Sequence, residues 1–503
     1  MIYLNITMIT FSKFFQESVN YQLDDFSDKW EQALTSSEEL RVGLDLMNKI
    51  VDLFPTGEIY IVGGVPRDLL MGNSIDDVDM ATNIPFEDLS KHFELRNISK
   101  NDTQPVYTIL YGDYAFDLAK FREDSQTAMG RQSNVSTEVD SFETDTKRRD
   151  ITINSFGLDH SGRIVDYQGG LQDLQNGLIR AVGDARERFK EDATRLLRVF
   201  RFAAKMDFDI EPETLNAAKE LKHLLLNPNL ISQESISQEM YKAAKSGRTL
   251  SNFLYKLQDA GILHDILPEF TDMEGFDHDP AHHPEGDSQV LGHIHECLKA
   301  SPYSDPVINL AVMFHDFGKA TTRGTKPNGF SNYHAHEAAG VPIVENIFKR
   351  LRFAKLGPDD KKNILAAVAN HMYIHGLDKL SLKVLRRIIH NPAWETIKAV
   401  GYCDEASRGP GLFNKQAFLD KIERAEAKLA TVPGGADELK KQISVVINGN
   451  KMMQWFPQFQ TDRTQIGKYL PKIQDWVAEM LLNSKEVTEQ MAYKKAKQMV
   501  PKS

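Results

Sequence analysis

Apolar and polar positions change their period near residue 180, and the chain divides there. Over residues 37–53, Leu40, Val42, Leu44, Leu46, Met47, Ile50 and Val51 supply the apolar positions of a helix behind Ser37, a residue suited to cap it. Ile59–Val62 is a short apolar run of the kind that forms a buried strand, and Gly63 and Gly64 follow, where the backbone can turn sharply. A helix is expected to begin over Asp68 to Met71. Two runs, 106–110 and 114–121, predict a hairpin about Tyr111, Gly112 and Asp113. Residues 123–146 are polar without apolar periodicity and read as a long flexible loop. A short strand is expected over 164–167, before a turn at Gly169 and Gly170.

Beyond Arg180 the period is helical. Residues 189–206 read as one helix, with Leu196, Leu197, Val199, Phe200, Phe202 and Ala203 apolar and arginines between them. Further helices are expected over 212–225, 235–245 and 250–260. Residues 276–286, rich in His, Asp and Pro, mark a boundary; helices resume through 409, and 411–503 is helical and more basic. The expected fold is an α+β head, a small mixed sheet with helices, followed by all-α domains. The expected domains are a 1–36 extension, a 37–180 head, a 181–275 helical neck and body, a 276–410 domain and a 411–503 tail.

Charge and composition add limits. Length, at 503 residues, suits several domains, and a net charge of −11 argues weakly against a general nucleic-acid coat while leaving room for a local basic groove. The two cysteines, Cys297 and Cys403, cannot form a thiolate zinc site alone and point to a reducing, cytoplasmic setting. No apolar run approaches the ~20 residues needed to cross a bilayer, so no membrane partner is expected. Residues 1–15 lack a basic start and a small-residue cleavage site, and do not read as a signal peptide.

Candidate chemistry begins with Asp77 and Asp79, which on a strand would share one face. Carboxylates so placed repel unless a divalent cation neutralises them, and Asp117, on a neighbouring strand, offers a third. Three carboxylates can hold two ions, one activating a hydroxyl and one holding a triphosphate. Gly63, Gly64 and Arg67 suit close approach and grip of phosphate. Arg148, Arg149, Asp150 and Asn154 suit a triphosphate and ribose. Asp192 and Arg195, three apart, would share a helix face and present an acceptor and a donor fork to a base edge, with Arg198 and Arg201 beyond. Taken singly, each has an ordinary reading as a surface pair, a basic patch or an exposed strand acid.

In order, Gly63-Gly64-Val65-Pro66-Arg67-Asp68, Asp77-Val78-Asp79, Arg148 to Asn154, Asp166-Tyr167-Gln168-Gly169-Gly170-Leu171-Gln172-Asp173 and Glu191-Asp192-Ala193-Thr194-Arg195 resemble the class II CCA-adding tRNA nucleotidyltransferases, of the poly(A) polymerase superfamily. The resemblance implies addition of C, C and A to the tRNA 3′ end from CTP and ATP without a nucleic-acid template. It implies Mg2+ on Asp77 and Asp79, with Asp117 as a third acid. Gly63, Gly64 and Arg67 would line the triphosphate site, Arg149, Asp150 and Asn154 would hold nucleotide, and Asp192 and Arg195 would read the base, with Arg198 beside them. The polar segment 123–146 would match the loop implicated in passing from C to A. One departure is Pro66, which a helix start tolerates. The tRNA acceptor arm would lie against the body and tail, with basic residues over 186–205 and 468–502 as candidates.

A second constellation lies downstream. His315 and Asp316 end an apolar run, with His293 before them and His334, His336, His371 and Asp404 after. His and Asp ligands from several helices suit a divalent metal that activates water. The set resembles the HD-domain phosphohydrolases, most densely over Met313 to Lys319. Certain bacterial CCA-adding enzymes carry such a domain here, and resemble this chain also at His282 to Asp287 and at Ile447, Asn448 and Gly449. That resemblance implies phosphatase, 2′-nucleotidase and 2′,3′-cyclic phosphodiesterase activity. It implies a metal set of His293, His315, Asp316 and Asp404, with His336 and His371 as ligands of a second metal or phosphate contacts. Ni2+, Mn2+, Co2+ or Mg2+ would suit it. The spacing from Asp287 leaves His295 competing with His293, while His334 and His375 read as ordinary exposed histidines.

Two other readings stay open: a poly(A) polymerase, and an RNA-end hydrolase with an inactive head. The first usually carries a Gly-Arg-Arg-Phe-like segment after the paired acids, and residues 93–107 hold none. The second has no use for intact Asp77, Asp79 and Arg195. A non-catalytic tRNA-binding protein would need neither constellation.

Overall fold

Ser37 caps its helix as the apolar pattern predicts: its side chain accepts a hydrogen bond from Leu40 N at 3.2 Å. The computed structural model describes residues 23–75, 77–98, 106–126, 134–277, 289–409, 411–430, 435–461, 464–482 and 485–501. They form two compact units. The first takes in the described residues through Ala243 together with Asn252–Pro268; the second takes in Ala244–Ser251 and the described residues from Glu269 onward.

The first described helix of the first unit, Leu23–Ser36 (α1), is one that the apolar pattern does not announce. Lys29 Nζ donates to Leu70 O at 3.3 Å, and Trp30 packs so closely on Gly162 that a Cβ there would lie 2.7 Å from its ring. The capped helix, Glu38–Leu53 (α2), buries Leu40, Leu44, Leu46, Met47 and Ile50. Strand β1 (Ile59–Val62) leads through the glycines into Val65–Met71 (α3), which starts earlier than expected and carries Pro66 in its first turn. There Pro lacks only an N–H that the helix would not use.

A seven-stranded mixed sheet forms the core of this unit. Its strands are β1, β2 (Asp79–Thr82), β3 (Glu94–Asn97), β4 (Val106–Tyr111), β5 (Tyr114–Lys120), β8 (Gly157–Leu158) and β9 (Ile164–Val165), in the order β3-β4-β5-β2-β1-β8-β9. β4 and β5 form the expected hairpin, with Tyr111 opposite Tyr114. β1 and β2 pair antiparallel with Val62 opposite Asp79, and β2 and β5 pair parallel with Met80 opposite Leu118.

Residues 123–146 are not one loop. β6 (Arg122–Gln126) and β7 (Asn134–Glu138) pair antiparallel, and Phe142–Lys147 (α4) follows; residues 127–133 lie outside the described residues. Apart from Val135 the sequence of these two strands is polar, so no apolar alternation marks them. Its return is anchored by buried Phe142, whose ring stacks 4.3 Å from Tyr60 and lies 5.4 Å from Phe121.

The expected helix over 189–206 is two: Ala185–Glu191 and Thr194–Met206, interrupted where Asp192 takes an extended conformation (φ −148°, ψ 103°). Asp192 accepts from Thr194 N at 2.9 Å, an Asx-type bond that competes with helix continuation.

The described residues of the second unit are mainly helical, with a short hairpin, Arg323–Thr325 with Ser331–Tyr333. Val290–Lys299, Pro306–Phe314, His336–Leu351, Pro358–Asn370 and Trp394–Ala406 supply its centre, with Phe314, Phe317, Phe348 and Phe353 packed edge to face. The C-terminal helices build a separate core around Ile443, Ile447, Ile473 and Val477. Among the described residues no helix is long and apolar enough to cross a membrane.

Candidate active sites

In the first unit the strand register brings two of the three acids together. Asp79 and Asp117 precede the Met80–Leu118 pair on neighbouring parallel strands, so they stand level on one face. Thr108 Oγ1 donates to Asp117 at 2.9 Å. Gly63, at φ +77°, turns directly beside Asp79: a Cβ there would lie 3.5 Å from Asp79 Oδ2.

Asp77 departs from expectation. It is not on a strand with Asp79 but just ahead of β2, in the left-handed region at φ +63°. Asp is one of the few side chains that tolerates this conformation. The next residue is pinned, because Val78 N donates to Glu39 Oε1 at 3.1 Å.

Burial pushes the Asp79 carboxyl up to about 6, and Asp77 and Asp117 push the same way against the opposing pull of Arg149. Carboxylates crowded in this way are a donor set that a divalent cation suits. Glu39, which adds to the same field, escaped the sequence reading; its only signal was an acidic first turn in α2.

The arginines are held by groups of the chain itself, of which only Asp145 lies outside the motifs. Arg67 is 3% exposed; its Nε and Nη2 bond Asp68 at 3.1 and 2.7 Å, and its Nη1 bonds Asn154 Oδ1 at 2.5 Å. It does not present an open fork, as expected for a free phosphate grip. Arg149 reaches Asp145 at 3.0 Å and Asn154 O at 3.3 Å, and Arg148 reaches the other oxygen of Asp145 at 2.6 Å. Burial alone would raise the Asp145 carboxyl, yet the two guanidiniums hold it below the usual range. Asp145 was legible only as an acid three and four residues ahead of two arginines.

Asp150 bonds Arg198 at 2.7 and 2.6 Å. Arg195 bonds Glu191 at 2.5 Å and Arg148 O at 2.8 Å. Asp192 and Arg195 do not share a helix face: Asp192 lies in the break and Arg195 in the helix beyond. Both nevertheless line one cavity of about 1240 Å³ with Gly63, Gly64, Arg67, Asp79, Asp117, Arg149, Asp150, Asn154 and Arg198. Phe202 also lines it, with the guanidiniums of Arg67, Arg198 and Arg201 within 5.5 Å of its ring centre. The segment 166–173 is scaffolding. Asp166 accepts from the amides of Gln168, Gly170 and Leu171, and Asp173 accepts from Thr152 Oγ1 at 2.7 Å. It thereby sets the turn that carries Asn154.

In the second unit the histidine and aspartate side chains converge from five elements. Nδ1 of His315, His336 and His371 lies 2.6, 2.8 and 2.9 Å from the carbonyls of Val312, Tyr333 and Val368. These contacts orient each ring with its Nε2 turned inward. Nε2 of His336 and Nε2 of His371 stand 3.2 Å apart, and Nε2 of His315, buried without a hydrogen bond, stands 3.2 Å from Asp316 Oδ2. Inward ring nitrogens beside buried carboxylates are a ligand set for a cation. His293 Nε2 lies 3.3 Å from Asp404 Oδ1 and 3.6 Å from Asp316 Oδ2. Burial would raise both carboxyls, but His315 and Lys319 hold Asp316, and His375 and His293 hold Asp404, well below the usual range.

His295 turns elsewhere, to Ser251 Oγ at 3.0 Å and the edge of Phe270. Burial lowers it to about 3. Of the two competitors, geometry therefore favours His293. His334 is exposed, as expected, but His375 is not an ordinary exposed histidine. Its Nε2 bonds Asp404 Oδ2 at 2.8 Å, and although burial opposes protonation, Asp404 and Glu405 raise it to about 9. Cys297 was also missed. One turn from His293, its Sγ joins His293, His315 and Asp404 in a group of ligand atoms all within 4.8 Å; His315, Asp316 and His371 form another such group. His282 to Asp287 lie outside the described residues. Imidazole and carboxylate donors in this number fit a divalent transition metal.

These two geometries define a metal-dependent nucleotidyltransferase head and an HD-type metal centre on one chain. Residues 59–180 match the poly A polymerase head domain and residues 288–391 the HD domain. The chain is 33% identical over 313 residues to the multifunctional CCA protein of Nitrosospira multiformis, covering 62% of this chain and 72% of that protein. It is 43% identical over 188 residues to the CCA-adding enzyme of Streptococcus uberis, covering 37% of this chain and 46% of that one. The crystal structure of the Bacillus stearothermophilus CCA-adding enzyme in complex with CTP has the same fold at TM-score 0.59 and 20% identity, over 92% of this chain and 98% of that one. The chain belongs to the CCA-adding enzyme family of tRNA nucleotidyltransferases.

Proposed function

We propose that Asp77, Asp79 and Asp117 carry the family's CCA addition, and that the histidine cluster is a second, hydrolytic site. The reaction uses CTP and ATP and extends the tRNA 3′ end by C, C and A. Its terminal ribose hydroxyl attacks the α-phosphorus, the bond to the β-phosphate oxygen breaks, and pyrophosphate leaves. Mg2+ on Asp77 and Asp79, when bound, supplies charge neutralisation at the phosphates. Gly63 and Gly64 admit the triphosphate close to the backbone, and Arg67, Arg149 and Asn154 form one linked cradle for phosphate and ribose. Asp150 holds Arg198, and Glu191 with Arg148 O fixes the plane of Arg195. Asp192 and Arg195 then offer an acceptor and a donor to the base edge. The observation that carries this reading is the convergence of Asp79, Arg149, Asp192 and Arg195 from separate segments on one cavity. We assign head, neck, HD and tail domains within the expected boundaries, tRNA acceptor-arm binding to the basic body and tail, and a cytoplasmic setting.

The test is extension of tRNA lacking its terminal CCA, with Mg2+ and CTP or ATP singly and together. Growth by three nucleotides that then stops is expected. Open-ended A tailing from ATP alone would mean a poly(A) polymerase, and no growth would sink both.

For the second site, the facing Nε2 atoms of His336 and His371 support bound Ni2+, Mn2+, Co2+ or Mg2+ and hydrolysis of phosphate esters at RNA ends. Asp77→Ala is expected to abolish extension and spare 2′,3′-cyclic phosphate hydrolysis. Loss of both activities would count against two independent sites.

A further inference from the structure

Beside the histidine cluster lies a second cavity, of about 280 Å³, lined by Glu405, Arg408, Leu412, Phe413, Lys421 and Arg424 among others. Arg408 lines this cavity and the metal-site cavity as well. Among the described residues the side chains of Arg408 and Arg424 make no hydrogen bond or ion pair, whereas Lys421 is held by Glu405. With Lys421 offset in this way, two cationic groups stand uncompensated on the cavity wall. The opposite character is supplied by Phe413, packed edge to face on Tyr402 at 5.1 Å, and by Leu412, 64% exposed. The link to the metal site is direct: Glu405 lies 3.6 Å from His375 Nδ1, and His375 Nε2 bonds Asp404.

An uncompensated cation shared by two cavities suits a phosphodiester, and an aromatic-apolar wall with an open side suits a base. We propose that this cavity binds the nucleotide preceding the one whose phosphate lies at the histidine cluster, so that the hydrolytic site takes RNA ends in preference to mononucleotides. Arg408 holds the linking phosphate, Phe413 and Leu412 face the base, and Arg424 contacts the chain further from the end. This rests on the hydrolytic reading given above.

The experiment compares, in the full-length metal-loaded protein, hydrolysis of 2′,3′-cyclic AMP and of a short oligoribonucleotide ending in a 2′,3′-cyclic phosphate. Arg408→Ala and Phe413→Ala are each expected to raise KM for the oligonucleotide about tenfold more than for the mononucleotide, with Arg408→Lys recovering part of the loss. Thermal melting checks that the variants are folded. Equal changes for both substrates, or none for either, would overturn the subsite. If the unaltered protein hydrolyses neither substrate, the hydrolytic reading fails, and binding decides the subsite alone. In an Asp79→Ala background, a fluorescent dinucleotide 3′-phosphate should bind the Arg408→Ala protein at least about fivefold more weakly; equal binding would overturn it.

Discussion

Asp79 stands half-buried on the wall of a cavity of about 1240 Å³, and burial with its acidic neighbours pushes its carboxyl up to about 6. Asp316 is 1% exposed beside a cavity of about 340 Å³, yet its carboxyl is held well below the usual range. The more buried acid is thus the more firmly ionised. Burial opposes charge at both, so the difference lies in the neighbours: two carboxylates around Asp79, His315 and Lys319 around Asp316. The wide site can stay open because its arginines are already tied to Asp145, Asp150 and Glu191. The narrow site instead gathers its histidines around Asp316 and Asp404, with Nε2 of His336 and of His371 turned on one another.

The largest expected effect tests whether the two regions are separate. Asp79→Ala should lower nucleotide addition on the order of 10³-fold or more while leaving phosphate-ester hydrolysis within a factor of about two. Parallel rate assays on one preparation check it, and a matched fall in both would dissolve the contrast. The converse change, His315→Ala, should weaken divalent-metal retention by at least about 10²-fold, read by elemental analysis after dialysis, with CCA addition spared. Full metal retention would remove His315 from the ligand set.

A third change probes the paired arginines. Asp145 is fully buried and holds Arg148 and Arg149, so Asp145→Ala leaves two cations uncompensated and should cost about 3–5 kcal/mol by denaturant unfolding. A cost under about 1 kcal/mol would mean that water already serves those guanidiniums.

The smallest effect concerns pH. The folded-state pKa of Asp79 is raised from 3.8 to about 6, so between those values the folded state binds the extra proton. Its ionisation therefore destabilises metal-free protein as pH rises through that window, and the penalty is absent below it. Asp79→Asn should be more stable than the unaltered protein at pH 7 without Mg2+ by about 1–2 kcal/mol, discounted for partial exposure, and not at pH 3.5. A stability gain independent of pH would assign it to packing instead.

Much of this was legible where local chemistry is self-contained. The Ser37 cap, the β4–β5 hairpin and the glycine turn after β1 follow from adjacent residues. The β6–β7 hairpin was not, because its polar alternation carries no face and its partner strand is what stabilises it. The break at Asp192 was hidden for a related reason: one side-chain bond to Thr194 N overrides a continuous helical pattern. The choice of His293 over His295 depended on which side of Val290–Lys299 meets Asp404, and neighbours in sequence do not reveal that.

By itself the sequence determined the inventory and its order: three acids, a glycine turn, two arginine-bearing motifs and a spaced His–Asp set, each tied to a local element by the period of its apolar positions. Only the tertiary structure decided their state. Sheet register made Asp79 and Asp117 neighbours, and a left-handed Asp77 replaced an expected strand position. Folding also gave Arg149 its hidden partner Asp145 and made a half-buried, carboxylate-bound residue of His375, its pKa raised to about 9. The reason is physical. Covalent neighbours set backbone preference, but ionisation, pairing and metal affinity depend on what else shares the same few ångströms, and that is settled only when distant segments pack.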